Sequence, residues 1–497
     1  MMISFNNLGQ INIKRIYGPQ KQEVGKLSFH SKRVEADSAY FSIRGVNFNG
    51  DDYIEEAILS GANTVFSSDR DLIEKLSTVY PHCTFLLVGN VRESMAAFAK
   101  LYFDKPDEKL KTIGVTGTNG KTTVTAYVRS LLSLLGMPTG SIGTTGIWSS
   151  ERKLDYKKST PTTPEALDLH QIFSDLVNLD DEAVTMEVSS IALDQHRVDG
   201  ILFDVGIHTN FSEEHLEYHK TIDHYKECKL RLFQQSDKKV VNLDDAGMGA
   251  DLIANCKGSM LTYSIESHPE ADLRAENIEV MEEGSIFDLW YKGSAYPIYV
   301  PVYGTYNVAN VLSAVGAALH LGFSMQDILC VLPSLQGPVG RFQVMKLPQN
   351  QKVILDYAHT PVALNRLVEE VKKLKYRRLI VMIAGIGIRD FNKMPKMAAE
   401  IEGKADEVVV TVDHPGYNDP KVIVEQVMTG FKNPDKGNIH TTLTRKEGVE
   451  RALNIGGPDD IILLTSGCIN NAQNIRGEEV PHSDEAIIER FYPPVAQ

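Results

Sequence analysis

The chain has 497 residues, of which 42% are hydrophobic and 23% are charged, and its formal net charge is −14. This length exceeds what one hydrophobic core supports, so about three domains are expected. The negative charge argues against nucleic acid or an anionic membrane surface as a main partner, although a local positive pocket can still bind a nucleotide.

The N-terminal residues and the cysteines indicate a cytoplasmic protein. Residues 1–10 lack the basic segment and apolar core of a secretory signal. No apolar run approaches the ~18 residues that a transmembrane helix needs. The five cysteines are scattered, odd in number and without a C-x-x-C pair, which is typical of reduced thiols. Cys228 is interpreted as a packing residue.

Residues 1–105 are predicted to form a small α/β domain. Strand-like runs at 40–43, 64–66 and 84–88 alternate with helical patterns at 52–60 and 92–102. Two polar segments between them, at 30–34 and 45–53, are either ligand-binding loops or ordinary connections.

The second segment, residues 106–335, opens with a strand, a glycine-rich loop and a helix. Residues 112–123 read T-I-G-V-T-G-T-N-G-K-T-T, and an apolar helical pattern follows as far as Gly136. This is the context of a phosphate-binding loop, in which backbone N–H groups and a helix N-terminus attract phosphate. Lys121 would hold the terminal phosphates, and the Thr122 hydroxyl would bind Mg²⁺. Val115 stands where the usual G-x-x-x-x-G-K-[ST] motif has its first glycine.

The alternative is a glycine-rich turn that binds nothing. It is disfavoured because a buried strand, the Gly-Lys-Thr-Thr sequence and a long helix coincide here.

Further buried strands are predicted at 183–186, ending at Glu187, and at 203–208, ending before Asn210. Thr163 is predicted to be the N-cap of an intervening helix. Strands that alternate with helices favour a mostly parallel sheet, whose ligands gather at the C-terminal ends of the strands. Gly117, Glu187 and Asn210 are therefore expected at one edge.

Several polar residues in this segment have two interpretations. Glu187 is either a Mg²⁺ ligand or a capping or solvated carboxylate. His215 and His219 lie in a charged loop, where a single histidine is more often structural. Lys229, in a helical pattern at 225–233, is by itself a surface helix residue.

The third segment, residues 336–497, repeats the alternation, with strands at 353–355, 379–384, 407–412 and 460–465. It is predicted to be a Rossmann-like α/β domain, although no G-x-G-x-x-G motif is present. The predicted fold is therefore α/β with three domains, the central one built around the phosphate loop.

Taken together and in order, these segments resemble the Mur ligase family, the ATP-dependent amino-acid ligases of peptidoglycan precursor synthesis. The resemblance covers nearly the whole chain and is strongest to members that add the third peptide residue to UDP-MurNAc-L-Ala-D-Glu. The shared motifs are G-T-N-G-K-T-T (117–123), T-T-P-E (162–165), M-E-V-S-S (186–190), Q-H-R (195–197), H-L-E-Y-H (215–219), Y-x-x-x-K-x-x-L-F (225–233), G-x-Y-N-V-x-N (304–310), G-R (340–341) and D-Y-A-H-T-P (356–361).

The resemblance implies a role for each domain and for particular residues. Residues 1–105 would bind the nucleotide sugar, 106–335 ATP, and 336–497 the incoming amino acid. The implied ATP-binding residues are Gly117, Thr118, Asn119, Gly120, Lys121, Thr122, Thr123, Asn307, Arg341, Asp356 and His359. The implied positions around the nucleotide-sugar peptide are Ser31, Thr162, Thr163, Ser189, Gln195 and Arg197. Those around the amino acid are Arg389, Asp413, His414 and Gly416.

The implied catalytic residues are Lys121, Glu187, His215 and Lys229. Of these, Glu187, His215 and Lys229, together with Thr122, are the implied Mg²⁺ contacts. Lys229 matches the lysine that the family carries as a carbamate formed with CO₂, which converts a cation into an anion able to hold a metal. The implied reaction passes through an acyl phosphate, which the incoming amine then attacks.

Departures from the family pattern concern specificity. The selectivity motif, usually D-N-P-R or D-N-P-A, reads Asp413-His414-Pro415-Gly416, and the G-K-G-x-E stretch reads S-G-C-I-N at 466–470. Without the arginine there is no fork to pair with a second carboxylate, which argues against meso-diaminopimelate. The V-P-H-S-D sequence at 480–484 resembles the tail of lysine-adding members, so L-lysine is favoured over a neutral amino acid.

Other functions stay open. Ile191, Glu213 and Glu214 also depart from the pattern, and they admit a specialised paralogue acting on a different carboxylate substrate. A nucleotide-binding pseudoenzyme is disfavoured because Lys121, Glu187, His215 and Lys229 are all present. A kinase or GTPase is disfavoured by the later motifs. The protein is expected to be a cytoplasmic monomer that binds a UDP-MurNAc-dipeptide and a free amino acid, and neither nucleic acid nor membrane.

Overall fold

The computed structural model describes residues 1–9, 11–45, 48–156, 159–256, 258–266, 268–338, 340–466 and 472–492. The chain divides into two compact units, one of Met1–Tyr263 with Val315–Ser324 and one of Ser264–Ala314 with Met325–Gln497. Within the described residues, no helix is both long and apolar enough to cross a membrane. The division into three domains, 1–105, 106–335 and 336–497, stays a prediction.

The first unit begins with a five-stranded sheet and its covering helices. In chain order the elements are β1 (Met2–Ser4), β2 (Ile13–Tyr17), β3 (Lys21–Glu23), β4 (Lys26–Ser28), β5 (Ser38–Phe41), α1 (Ile54–Leu59), β6 (Ala62–Ser67), α2 (Arg70–Val79), β7 (Thr84–Val88) and α3 (Val91–Tyr102). Strands β4, β5, β6 and β7 are parallel neighbours, and β2 pairs antiparallel with β7. Successive side chains of a strand point to opposite faces of the sheet, so neighbouring residues enter different cores. Phe41 and Phe66 pack in one core, and Tyr40 and Val65 pack in the other.

A second, larger sheet of the first unit carries the glycine-rich loop. Its elements are β8 (Lys111–Thr116), α4 (Lys121–Leu134), β9 (Thr139–Gly143), β10 (Gly146–Trp148), β11 (Lys153–Leu154), α5 (Ala166–Asn178), β12 (Ala183–Glu187), α6 (Ser190–Asp194), β13 (Phe203–His208), α7 (Leu216–His219), α8 (Ile222–Gln234), β14 (Ser236–Asn242), α9 (Met248–Asn255) and β15 (Ser259–Ser264). The strand order is β11-β10-β9-β12-β8-β13-β14-β15. Strands β9 and β12 to β15 are parallel with β8, and β10 and β11 are antiparallel.

Strand β8 lies at the centre of this sheet, between β12 and β13. Glu187 is in register with Val115, and His208 with Thr116. The strands therefore end at the same edge, which confirms the predicted placement of Gly117, Glu187 and Asn210.

The second unit contains a β-meander and a six-stranded sheet. Its elements are β16 (Leu273–Val280), β17 (Ser285–Tyr291), β18 (Ser294–Val300), α10 (Thr305–His320, which ends in the first unit), α11 (Met325–Val331), β19 (Gln343–Lys346), β20 (Lys352–Leu355), α12 (Pro361–Val371), β21 (Leu379–Ile386), α13 (Lys393–Ile401), β22 (Glu407–Asp413), α14 (Pro420–Met428), β23 (Ile439–Thr441), α15 (Arg445–Ile455), β24 (Ile461–Leu464), β25 (Ala472–Ile475), β26 (Glu478–Pro481) and α16 (Asp484–Phe491). The sheet order is β19-β20-β24-β21-β22-β23, parallel except for β19, and β25 and β26 form a hairpin.

Two local features differ from the sequence prediction. Helix α5 begins at Ala166 with Glu165 as its N-cap, so the prediction that Thr163 caps this helix is wrong. The Thr163 hydroxyl instead donates a hydrogen bond to the carbonyl oxygen of Glu187, at 2.9 Å. The antiparallel meander of β16, β17 and β18 was not predicted.

Candidate active site

The glycine-rich loop follows β8 and is held against the end of β13. Gly117 has a φ of 152°, and a Cβ atom there would lie 1.9 Å from the Thr209 hydroxyl oxygen, so only glycine fits. The backbone N–H of Thr118 donates to the carbonyl oxygen of Asn210 at 2.8 Å, and that of Asn119 donates to the Asn210 side chain at 3.0 Å. These contacts with Thr209 and Asn210 fix the conformation of the glycine-rich loop.

Lys121 begins helix α4 and folds back over this loop. Its Nζ donates to the carbonyl oxygens of Gly117 at 2.7 Å and Thr118 at 2.9 Å. Thr122 and Thr123 are buried in the first helical turn. The arrangement places an ammonium group and a helix N-terminus at the same loop, which favours a bound anion.

Glu187 is buried at the end of β12, so its interpretation as a solvated glutamate is wrong. One carboxylate oxygen accepts a hydrogen bond from the backbone N–H of Thr144 at 2.7 Å, and the other accepts from the Thr144 hydroxyl at 3.2 Å. A Cβ atom at Gly143 would lie 2.3 Å from Glu187 Oε1. Gly143 and Thr144 together fix the position of this carboxylate.

Lys229 lies on α8 and is 1% exposed, so its interpretation as a surface helix residue is wrong. Its Nζ donates to the carbonyl oxygen of Gly117 at 2.8 Å and lies 4.7 Å from the centre of the Tyr225 ring. Burial lowers the pKa of Lys229 well below its usual range, and the nearby Lys121 lowers it further. Burial and the neighbouring Lys121 thus disfavour the charged form of this side chain beside the loop.

His215 lies in the loop before α7, in a left-handed conformation with a φ of 57°. Its side chain is 42% exposed and its Nδ1 lies 3.4 Å from a carboxylate oxygen of Glu217. The centre of its ring is 6.2 Å from that of Tyr225, the residue that stacks beneath Lys229. His215 is thus the most exposed of the four predicted metal contacts.

Four of the predicted substrate residues form one hydrogen-bonded group. The Thr163 hydroxyl accepts from the backbone N–H of Ser189 at 3.1 Å. Arg197 donates to the Thr163 carbonyl oxygen at 2.9 Å and to the Gln195 side chain at 2.6 Å. Thr162 precedes this group in the chain, and Ser31 lies buried in a 3₁₀ turn after β4.

An ion-pair network that the sequence patterns do not indicate lies beside this group. Glu165 lies 2.8 Å from Arg92 and 3.2 Å from Arg197, and all three are largely buried. Burial lowers the pKa of Arg197, while Glu165 opposes this effect. Glu165 belongs to the T-T-P-E motif at 162–165, but nothing in the sequence pairs it with Arg92.

Four predicted ATP-site residues belong to the second unit. Both carboxylate oxygens of Asp356 accept backbone N–H groups, from Phe342 and Ala358, each at 2.8 Å. Burial raises the pKa of Asp356, and Arg341 opposes this shift. The Arg341 guanidinium lies 4.9 Å from the centre of the Tyr357 ring.

The other two are held by backbone carbonyls. Asn307 donates to the carbonyl oxygen of Tyr303 at 2.8 Å, and His359 Nδ1 lies 3.0 Å from that of Tyr357. Tyr303 stacks on Phe342, with ring centres 5.5 Å apart. Asn307 is hydrogen-bonded to the backbone of Tyr303, and Asp356 to the backbone of Phe342, so this stacked pair connects the two residues.

The predicted amino-acid residues lie at the end of β22. Asp413 is buried and accepts from the Gln473 side chain at 2.6 Å. His414 Nδ1 accepts from the backbone N–H of Asn474 at 2.9 Å, and the Gly416 N–H donates to the Asn474 carbonyl at 3.0 Å. Gly416 has a φ of 59°. Hydrogen bonds from residues of strand β25 therefore hold the selectivity motif, Asp413 to Gly416, in place.

The remaining predicted features of this region are Arg389, the departures at 467–470 and the V-P-H-S-D sequence. Arg389 is exposed, with its guanidinium 3.4 Å from the Tyr357 hydroxyl. The departures at 467–470, including Cys468 and Asn470, lie outside the described residues. Asp484, from the V-P-H-S-D sequence, is paired with the buried Arg445, whose guanidinium also lies 3.6 Å from Asp413.

Comparisons with known proteins agree with these features. The chain matches the models of the Mur ligase middle domain over residues 115–318 and of the Mur ligase, glutamate ligase domain over residues 340–468. It is 34% identical over 481 residues to a UDP-N-acetylmuramoyl-L-alanyl-D-glutamate–2,6-diaminopimelate ligase of Clostridium acetobutylicum, with 96% of each chain covered. It is 32% identical to the corresponding ligase of Clostridium tetani, covering 95% of this chain and 96% of that one.

A solved structure of a UDP-N-acetylmuramoyl-L-alanyl-D-glutamate–2,6-diaminopimelate ligase has a similar fold. It aligns with a TM-score of 0.69 and 28% identity, over 99% of this chain and 98% of its own. The α/β architecture inferred from the sequence is thus confirmed.

Proposed function

We propose that this chain, which belongs to the Mur ligase family and is an ATP-dependent ligase of peptidoglycan synthesis, joins a free amino acid to UDP-MurNAc-L-Ala-D-Glu. The observation that supports this function most strongly is the burial of Lys229 at the glycine-rich loop, 2.8 Å from the Gly117 carbonyl oxygen. A lysine held in that place serves no packing purpose that an apolar residue would not serve better.

Lys229 is proposed to act as a carbamate. A neutral amine attacks CO₂, forming a C–N bond and releasing one proton, and the product is an anion. The surroundings support this modification, because burial and Lys121 both disfavour the ammonium form. The carbamate oxygens would turn a site with two lysines into one that holds a metal ion.

The donor set suits Mg²⁺. Thr122, Glu187 and His215, together with carbamylated Lys229, offer mainly oxygen donors, and the Thr144 hydrogen bonds keep the Glu187 carboxylate in a fixed orientation. Bound Mg²⁺ would offset the negative charge of the ATP phosphates. Lys121 would add a positive charge at the same place.

The reaction is proposed to proceed in two steps. A substrate carboxylate oxygen bonds to the γ-phosphorus of ATP, ADP leaves, and an acyl phosphate forms. The amine nitrogen then attacks the acyl carbon, inorganic phosphate leaves, and the nitrogen loses a proton as the amide forms. Thr163, Ser189, Gln195 and Arg197, with Ser31 and Thr162, would hold the nucleotide-sugar peptide. The loop residues Gly117 to Thr123 would hold the ATP phosphates. Asn307, Arg341, Asp356 and His359 of the second unit are proposed as ATP-binding residues because they match the family's motifs.

The incoming amino acid is proposed to lack a distal carboxylate, with L-lysine as the first candidate. This rests on Gly416, which offers no guanidinium and whose φ of 59° disfavours a side chain. The relatives' names give the lysine preference no support. They favour the second candidate, diaminopimelate, because the C. acetobutylicum and C. tetani ligases are both named for it.

The test is phosphate release by the purified chain with ATP, Mg²⁺ and UDP-MurNAc-L-Ala-D-Glu, screened against single amino acids, with the product identified by mass. Turnover with one amino acid establishes the function and names the residue added. If every amino acid is inactive while ATP still binds, the proposal is wrong, and a paralogue with a different carboxylate substrate takes its place.

A further inference from the structure

His219, His224 and Cys228 form a compact cluster, called here the His–His–Cys cluster. His219 ends α7, and His224 and Cys228 lie one turn apart on α8, so that they share a face of that helix. One ligand atom from each residue lies within 4.8 Å of the other two. His219 and Cys228 are buried, and His224 is partly exposed, which gives the cluster an opening to solvent.

Each of two separations inside the cluster is close to that between two ligands of a tetrahedral metal site, although they involve different nitrogens of His224. His219 Nδ1 lies 3.2 Å from His224 Nδ1, and Cys228 Sγ lies 3.5 Å from His224 Nε2. Zinc bonds of about 2.0 Å to nitrogen and about 2.3 Å to sulfur place two nitrogens about 3.3 Å apart, and a nitrogen and a sulfur about 3.5 Å apart. Because His224 faces its two partners with different nitrogens, binding one ion requires a rotation of its ring.

The surroundings orient the ligand atoms inward. His219 Nε2 lies 2.9 Å from the buried Ser190 hydroxyl, which leaves Nδ1 facing the cluster. Metal-binding histidines are commonly held this way by their second nitrogen. Asp194 Oδ1 lies 3.3 Å from His224 Nε2 and 3.6 Å from Cys228 Sγ, while its other oxygen accepts from the Tyr218 hydroxyl at 2.8 Å.

We propose that His219, His224 and Cys228 bind one transition-metal ion of the Zn²⁺ class, with Asp194 as the fourth ligand. Imidazole and thiolate donors select Zn²⁺ or Co²⁺ over Mg²⁺, which prefers oxygen. On binding, the Cys228 thiol loses its proton to solvent and a metal–sulfur bond forms. This site is distinct from the predicted Mg²⁺ contacts.

The ion would cross-link two helices next to the proposed catalytic residues. Helix α7 follows His215, and Cys228 immediately precedes Lys229 in α8. A ligand that binds the folded state alone also stabilises it, so the thermal midpoint of this unit should rise with Zn²⁺.

The test is a Co²⁺ titration of the metal-free, full-length protein in excess Mg²⁺, followed by absorbance. The proposal predicts one equivalent of tightly bound Co²⁺, with visible bands of tetrahedral geometry and a near-ultraviolet thiolate-to-cobalt band. Cys228→Ala should lose the thiolate band, and His224→Asn should bind Co²⁺ at least about ten-fold more weakly. Cys256→Ala, which removes the cysteine that directly follows α9 and lies outside the cluster, is the matched control and should keep both.

Three outcomes would overturn the site. They are a folded wild-type protein without the thiolate band, a band that persists in Cys228→Ala, or unchanged affinity in His224→Asn. Because Cys228 is buried, circular dichroism must first show that its variant is folded. If it is not, the His224→Asn titration and the Zn²⁺ dependence of the wild-type thermal midpoint decide.

Discussion

Gly143 leaves open the space that the Glu187 carboxylate occupies, since a Cβ atom at residue 143 would lie 2.3 Å from Glu187 Oε1. The two residues end neighbouring parallel strands, β9 and β12. A glycine on one strand thus fixes the carboxylate on the next, in the position where a metal contact is proposed.

Gly143→Ala should therefore displace Glu187 and weaken metal-dependent turnover. Loss of an orienting contact at a metal ligand typically costs about 10- to 100-fold in affinity or activity. The measurement is the Mg²⁺ dependence of phosphate release. Gly437→Ala, where an added Cβ meets no atom within 4 Å, is the control and should leave it unchanged. Equal Mg²⁺ dependence in both variants would rule out the orienting role.

Gly416→Arg should shift specificity towards diaminopimelate. A guanidinium that pairs with a second carboxylate contributes about 1.5–3 kcal/mol, or about 10- to 100-fold in relative kcat/KM. The added Cβ would lie 2.8 Å from Ile388 Cγ2, and the φ of 59° strains any side chain. Ile388 is exposed and can move, so a stability cost of about 1–2 kcal/mol is expected.

Gly416→Ala is the matched control, because it introduces the same strain without the guanidinium. Competition between L-lysine and diaminopimelate, together with thermal unfolding, measures both effects. If the arginine and alanine variants show the same preference, residue 416 does not contact the amino acid.

His170 should make the protein less stable in acid. Its side chain is fully buried in α5, and neither ring nitrogen has a hydrogen-bond partner among the residues that the structure describes. Burial lowers the pKa of His170 to about 3, and Lys100 adds to the effect. The unfolded chain, with a histidine pKa of about 6.5, therefore binds one more proton between these values. This contribution to stability is complete above pH ~6.5 and decreases as the pH falls towards 3.

His170→Leu should remove that dependence. Relative to wild type, its free energy of unfolding should rise by about 1.4 kcal/mol for each pH unit below 6.5, and urea unfolding at pH 7.5 and 5.0 measures the difference. The exposed His82→Leu should show no such gain. A constant difference between wild type and His170→Leu at the two pH values would contradict the assignment.

Arg445 should be a major determinant of the stability of the second unit. Its buried guanidinium donates to Asp484 at 3.0 Å and to the Thr465 carbonyl oxygen at 3.1 Å. Burial alone would raise the pKa of Asp484, but Arg445 and His482 lower it well below the usual range.

Arg445→Met would leave buried carboxylates unpaired, at a cost of about 3–5 kcal/mol in the free energy of unfolding. Lys446→Met, the exposed neighbour on the same helix, should change it by less than about 1 kcal/mol. Chemical denaturation measures both. Similar costs for the two variants would show that the buried pair is not needed.

Local patterns were sufficient to predict much of the fold. Strands Thr84–Val88 and Phe203–His208 agree residue for residue. The first is a continuous run of β-branched, aromatic or apolar residues, and in the second Phe203, Val205 and Ile207 alternate with Asp204, Gly206 and His208. The glycine-rich loop was predicted because the strand, the glycines and the helix are consecutive in the chain.

Features that depend on distant contacts could not be predicted in this way. Lys229 has charged and apolar neighbours in sequence, and only the packing of α8 on the loop buries it. Thr163 has the sequence of an N-cap, but its hydroxyl is bound by Glu187 and Ser189, more than 20 residues away. For Thr163, tertiary hydrogen bonds replace the local one.

The most direct test of the proposed active site is the phosphate-release rate of Lys229→Ala, measured with and without added short carboxylic acids. A loss of at least about 100-fold is expected, with partial recovery when the acids supply the missing oxygen donors. Lys226→Ala, on the same helix but paired with Asp251, should stay close to wild type. Full activity of Lys229→Ala without any added acid would contradict the account.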